Sequence, residues 1–285
     1  MYNLKKLHPI LVEDLIRVGR DIDGGYVLSA GQIEKTEILL SFGINDDWSF
    51  EADFCKRVQM QRNKLNLSKE MQLHAFDYSS KPSNFLRMSL KNFAASLVNI
   101  LICKISKAKE RGRTAKCFFM LFVAFKRFFQ RKLHHNFYPK FLGEKDDKMF
   151  IRLDTVFKNL PEEPKDLSVF IKMDIENWEY KTLPQLVPFF NKINGLAVEF
   201  HELDIAGEKF EEIMDLFSTR FDIAHVHGNN YGGLIYDTKL PMVLEITFIN
   251  KAMGADSNIL SPHQYPIKGL DFPNDKTEDI PLDFN

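Results

Sequence analysis

The sequence predicts an α/β domain built on a mostly parallel sheet, and three observations predict it. Near-continuous apolar runs recur between helix-length segments. Several early runs close on an aspartate. Two late runs lie close enough to pair as a hairpin. Strands buried on both faces of a parallel sheet read as unbroken apolar runs rather than as alternating ones.

In chain order, the first segment, MYNLKKLHPILVEDL, has a short apolar stretch that soon meets Glu13 and Asp14, which predicts neither a signal peptide nor a membrane span. VGRDIDGGYVL follows, with Asp23-Gly24-Gly25 as a tight-turn signature between apolar residues. It reads either as a hairpin turn or as a strap closing a pocket, to which Arg20 or Asp23 contributes. The run 37–43 is the first sheet strand. Gly43 ends it, Asn45, Asp46 and Asp47 follow, and a helix starts near Ser49, with Ser49 or Asp47 as its cap and Glu51 in its first turn. MQLHAFD (71–77) is the second strand and ends in Asp77, thirty-four residues after Gly43.

Residues 81–148 form a basic helical insert with sixteen Lys and Arg against four Asp and Glu, a net +12. The remaining residues carry 22 cations and 35 acids, a net −13. Phe118, Phe122, Phe125 and Phe129 fall roughly on one helical face, with Lys126, Arg127, Arg131 and Lys132 at its end. The insert reads as a packing module, as an interfacial helix touching a membrane peripherally, or as a cap over an anionic substrate. MFIRLD (149–154) is a candidate third strand ending in Asp154. VFIKMD (169–174) and GLAVEF (195–200) are the fourth and fifth, and the runs 221–227 and 243–248 form the late pair. The tail from Ser261 holds four prolines and many acids and predicts an extended strap or partial disorder. The organisation expected is therefore a sheet domain in two halves, 1–80 and 149–260, the insert 81–148, and the tail 261–285.

The overall charge of −1 suggests no nucleic-acid partner. Cys55, Cys103 and Cys117 form no CxxC and no disulfide framework, which predicts a reducing compartment. The expected location is cytoplasmic, with peripheral contact to the inner face of the membrane as the insert's variant.

Ligands of open α/β sheets bind beyond the carboxyl ends of the strands, so the acids there carry the functional reading. A phosphate-binding loop shows several glycines and an open helix N-terminus. The loop after Gly43 shows Asn45, Asp46 and Asp47 instead, which suit a cation, a hydroxyl-rich ligand or an ammonium group. Asp77 sits where a strand-end acid takes ribose hydroxyls. FIKMDIENWEYKTL supplies Asp174 and Glu176, VEFHE supplies Glu199, His201 and Glu202, and AHVHGNNYGG supplies His225, His227, Asn229 and Asn230. Asp174, His201 and His227 are expected at one sheet edge, holding a divalent cation such as Mg or offering a histidine general base.

Taken together, GRDIDGGYVL, LLSFGINDDWSFEADF, HAFD, IRLD, FIKMDIENWEYKTL and VEFHEL resemble the FkbM-like branch of S-adenosylmethionine-dependent methyltransferases, in the family's order and over about residues 15–80 and 149–250. KMDIENWEY is similar to the family's K-x-D-x-E-G-x-E segment, with Asn177 where the family usually has glycine. The insert 81–148 has no counterpart in this resemblance. The resemblance implies a Rossmann-like class I methyltransferase sheet whose last strand is antiparallel, and methyl transfer to an oxygen of a sugar or similar acceptor. It assigns the methionine part of S-adenosylmethionine to Gly43 and its neighbours, the ribose hydroxyls to Asp77, and the place beside the reacting methyl group to Asp174. The basic insert suits a phosphorylated, nucleotide-linked or lipid-linked glycan acceptor, as in surface polysaccharide or glycoconjugate assembly. Two other classes remain at this point: a non-catalytic membrane-surface or scaffold protein, and a nicotinamide-dependent oxidoreductase, which would need a glycine-rich loop that the sequence lacks.

Overall fold

A computed structural model describes residues 2–130, 132–256 and 258–284. The chain forms strands β1 (Leu15–Val18), β2 (Tyr26–Ser29), β3 (Ile38–Phe42), β4 (Gln72–Phe76), β5 (His135–Tyr138), β6 (Phe141–Leu142), β7 (Phe150–Ile151), β8 (Val169–Met173), β9 (Ile193–Phe200), β10 (Phe221–Gly228) and β11 (Leu244–Asn250). The α-helices are α1 (Ala30–Lys35), α2 (Ser49–Lys64), α3 (Pro82–Leu101), α4 (Ile105–Phe125), α5 (Leu153–Lys158), α6 (Glu179–Thr182) and α7 (Leu203–Ser218).

Seven strands make one mixed sheet in the order β10-β11-β9-β8-β3-β4-β5. The pairs β8–β9, β3–β8, β3–β4 and β4–β5 are parallel, and β11 runs antiparallel to both neighbours, β9 and β10. This is a doubly wound sheet whose last strand is inserted in reverse. The central runs are apolar throughout because side chains alternate between two covered faces. Ile38, Leu40, Phe42, Ile171 and Met173 enter one core with α5 and α7, which contributes Phe210, Ile213 and Phe217. Leu39 and Phe170 enter a second core with Phe50, Phe54 and Val58 of α2 and with Tyr26 and Leu28 of β2.

The expected strand 149–154 is not part of this sheet. Only Phe150 and Ile151 pair, with Phe141 and Leu142 in a separate two-stranded sheet. Asp154 lies in the first turn of α5, ion-paired with Arg152 (2.8 Å) and Lys158 (3.3 Å), so IRLD places no acid at the sheet edge. The seventh sheet strand is instead β5, from within the segment 81–148. Its core HNFY is too short and too polar to announce itself, and it is held as an edge by its neighbour β4.

The helical part of the insert is a hairpin of α3 and α4 that closes with a π-helical turn, Lys126–Gln130. The predicted phenylalanine face packs inward. Phe125 and Phe129 are buried, and Phe118 and Phe122 are partly buried against the α2 core. Lys126 and Lys132 lie over the rings of Phe122 and Phe128; Arg131 lies outside the described residues. The tail is a strap, not a disordered segment: Tyr265, Ile280, Leu282 and Phe284 are buried in the core. Asn230 fastens it, accepting from the backbone N–H of Asn274 (2.8 Å) and Asp275 (3.0 Å). Among the described residues no helix is long and apolar enough to cross a membrane, and all three cysteines are free thiols.

Candidate functional site

The strand register sets the site. Phe42 pairs with Met173 and with Phe76, Met173 with Val198, and Glu199 with Glu245, which pairs in turn with His227. One residue beyond the paired ends, Asp77, Gly43, Asp174 and Glu199 therefore stand in a row across the carboxyl edge. Gly43 is fixed there by sterics. Its φ is +75°, and a Cβ would lie 1.6 Å from the carbonyl oxygen of Asp174. Only glycine lets the β3 and β8 loops pass this closely.

Two adjoining cavities open above this row, sharing Gly43, Asn45, Asp174 and Glu176 as walls. The first, of about 470 Å³, is largely apolar and aromatic: Phe76, Phe141, Leu142, Phe150, Ile175 and Trp178 line it, with Asp77 and Ser79 on one side. The Phe150 and Trp178 rings lie 5.6 Å apart at its wall. The second, of about 430 Å³, is polar and acidic. Asp23, Asp46, Asp47, Glu51, Asp174, Glu176 and Glu199 line it against three cationic or basic side chains, Arg20, Lys172 and His201. The turn after β1 is thus both things the sequence allowed, a hairpin loop and a pocket wall. Arg20 Nε donates to Asp47 (2.7 Å), and Asp23 accepts from Asn274 of the tail (3.1 Å).

Buried charge is concentrated here. Lys172 is buried on β8, where it donates to the Gly43 carbonyl (2.5 Å) and lies 3.3 Å from Asp174. Burial opposes its charge, but Asp174, Glu51 and Glu199 outweigh that and raise its pKa. Glu199 accepts from Tyr26 Oη (3.1 Å) and Asn229 Nδ2 (2.8 Å). Burial, and next the charges of Asp174 and Glu245, push its carboxyl well above the ordinary range. His201 donates from Nδ1 to the buried Glu179 (3.0 Å). Its Nε2 faces Glu199 (3.5 Å), Asp174 (3.8 Å) and Glu176 (3.9 Å). Burial disfavours its charge, yet the Glu179 hydrogen bond and the carboxylates of Glu199, Glu179 and Asp174 raise its pKa to about 9. The acids around the ring thus favour its protonated form.

Asp174, Glu176 and His201 each offer a ligand atom, all within 4.8 Å of one another. Two carboxylates and an imidazole fit a divalent cation, which would compete with the proton on His201.

The structure separates the other candidates. Gly43, Asn45, Asp46, Asp23, Asp174 and His201 line the acidic cavity together. His227 does not. It is buried between Glu245 (3.0 Å) and Asp279 (2.9 Å), a clasp between the sheet and the tail, so it is neither a metal ligand with Asp174 nor the general base. His225 is held by Asp271 in the same manner (3.1 Å). Asp77 lines the apolar cavity, but both its oxygens are engaged. One accepts from the backbone of Ile44 (3.1 Å) and Asn45 (2.7 Å). The other accepts from Ser79 N (2.7 Å), Ser79 Oγ (2.6 Å) and Ser80 N (3.1 Å). It holds the loop in shape, and a free oxygen for ribose hydroxyls is not present in this conformation. Asn177 resolves the departure from glycine: its φ is +70°, and asparagine tolerates that region better than other residues with a Cβ.

Sequence reading gave Glu51 only a place in the first turn of a helix and passed over Lys172 and Glu179, whose signal was a charged residue within a buried strand or on the buried face of a helix. It passed over the aromatic wall of Phe141, Phe150 and Trp178 because those residues meet only in three dimensions. Compared with known proteins, the chain matches no family model and no curated protein sequence.

Proposed function

We propose that this chain binds S-adenosylmethionine and transfers its methyl group to a hydroxyl oxygen of a sugar or related acceptor, as an FkbM-like methyltransferase. The observation that carries the reading is the two-part cavity at the strand ends. An aromatic compartment adjoins an acidic one, across the walls formed by Gly43 and Asp174. An adenosine group suits the first. A sulfonium and an α-ammonium suit the second, where a pyrophosphate would meet seven carboxyl side chains. This favours a methyl donor over a nicotinamide dinucleotide. The reversed last strand agrees with the sheet that the resemblance implies.

In this reading Phe141, Phe150 and Trp178 enclose the nucleoside, with the ribose against the loop that Asp77 shapes. Asp174 and Glu199 face the cationic end. Bound there, the cofactor would supply an activated methyl group, its S–CH₃ bond breaking as the O–CH₃ bond forms; the chain's part would be to hold the acceptor oxygen in line and to receive the hydroxyl proton. His201, oriented through Nδ1 by Glu179, is the group placed to take that proton at Nε2 once the cofactor's positive charge has displaced its own; with a metal on Nε2 it serves as a ligand instead. A divalent cation held by Asp174, Glu176 and His201 would supply Lewis-acid activation of the acceptor hydroxyl. Cell-surface glycan precursors, phosphorylated or lipid-linked, are the acceptor class we favour.

Calorimetric titration with S-adenosylmethionine tests the reading. Micromolar binding is expected, weakened about tenfold or more by Asp174→Asn and by Trp178→Ala, each of which removes one contact class. A folded protein showing no heat of binding would refute the cofactor assignment.

A further inference from the structure

The hairpin of α3 and α4 carries an apolar surface that the fold leaves uncovered. Its two helices meet through small and polar groups. Ser89 Oγ donates to the Ala115 carbonyl (2.8 Å), Ser96 Oγ to the Ala108 carbonyl (2.7 Å), and Arg111 to Asn92 Oδ1 (2.9 Å). Its base is anchored by Phe85 and Phe125, which pack around Trp48. Beyond Phe85, large apolar side chains of α3 point the other way. Leu90, Phe93, Leu97 and Leu101 are 60%, 56%, 48% and 82% exposed. Their spacing of three, four and four residues puts them on one helical face, a stripe roughly 16 Å long at the helical rise. The turn extends it with Ile102 and Ile105, both about half exposed. A helix on a globular surface normally turns such a stripe to the core. Around it the charge is one-sided: residues 82–130 hold ten Lys and Arg against one acid, Glu110, a net +9.

We propose that this hairpin docks the protein on an anionic lipid bilayer, with the α3 stripe in the headgroup–acyl boundary and Lys104, Lys107 and Lys109 at the turn on the lipid phosphates. No described helix is long and apolar enough to span, so the contact lies in the plane of the interface. Charge selects this occupant over a second copy of the chain. Two hairpins at +9 repel one another, whereas an anionic surface complements both the apolar face and the lysines. The predicted phenylalanine face is not the docking face, since it is packed on the body.

The test is co-sedimentation of the full chain with vesicles of phosphatidylcholine alone and of a mixture roughly one-third phosphatidylglycerol. Binding is expected on the mixed vesicles and far weaker on the neutral ones. Leu97→Glu with Leu101→Glu should lower the partition coefficient about tenfold or more. Lys104→Gln, Lys107→Gln and Lys109→Gln together should do the same, as should raising salt from about 0.1 M to about 0.5 M. Thermal melts of each variant check that these exposed substitutions leave the fold intact. Failure of the wild type to bind anionic vesicles would overturn the proposal. So would undiminished binding by the Glu variant. A dimer in sedimentation velocity that the Glu variant dissolves would reassign the stripe to self-association. None of these outcomes depends on whether the cavity takes S-adenosylmethionine.

Discussion

His227→Gln separates a clasp from a catalytic histidine. His227 is buried, with Nδ1 on Glu245 and Nε2 on Asp279. Glutamine keeps some hydrogen bonding and loses the charge, leaving the buried Glu245 and the partly buried Asp279 without their cation. Removing one member of a buried ion pair costs about 3–5 kcal/mol, a large part of the roughly 5–15 kcal/mol that holds a domain folded. The pH dependence gives a second readout. Burial disfavours the charged ring, but Glu245 and Asp279 outweigh it, raising the pKa from 6.5 to about 10. The folded state therefore holds this proton more tightly than the unfolded one. Its contribution is complete below pH 6.5 and is lost as pH rises to about 10. Within that window one extra bound proton corresponds to a fall of about 1.4 kcal/mol per pH unit. Urea unfolding at pH 7, 8 and 9 should show the wild type weakening with pH. The variant should start lower and weaken less steeply, by up to about that slope. Affinity for S-adenosylmethionine should be unchanged, because His227 does not line the cavity. Identical midpoints and slopes in the two proteins would refute the clasp, and lost cofactor affinity in a fully stable variant would return His227 to the site.

Three further expectations follow from the same geometry. Gly43→Ala forces a Cβ into the Asp174 carbonyl at positive φ. The backbone conformation and the overpacking together should cost about 2–5 kcal/mol in urea unfolding, and cofactor binding should fall with the displaced wall. Asn177→Gly should leave stability within about 0.5 kcal/mol, while Asn177→Val, at the same φ, should cost about 1–2 kcal/mol or more. Asp77→Asn turns an amide toward backbone N–H donors on one side of the loop. A loss of about 1–3 kcal/mol is expected, read by chemical denaturation, with weaker cofactor binding because Ile44 and Asn45 lose their anchor.

The sequence by itself determined what depends on near neighbours. The runs at β3, β4, β8 and β9 were legible because burial on both faces leaves no polar alternation, and the late hairpin because its two runs are close in the chain. Gly43, Asp174 and His201 were legible as residues of the strand-end cavity because each directly follows an apolar strand, and a strand's carboxyl end fixes where the next residue points. Tertiary structure decided the rest. HNFY becomes a strand because β4 offers it an open edge, whereas MFIRLD pairs only at Phe150 and Ile151, with β6, and then enters α5 at Leu153. Asp77 and His227 look like free chemical groups in the sequence; besides nearer partners, the amides of Ile44 and Asn45 that hold Asp77 lie 33 and 32 residues away, and the Asp279 that holds His227 lies 52 away. A buried charge takes the nearest group that can satisfy it, and which group is nearest is settled by packing across the sheet, not by order along the chain.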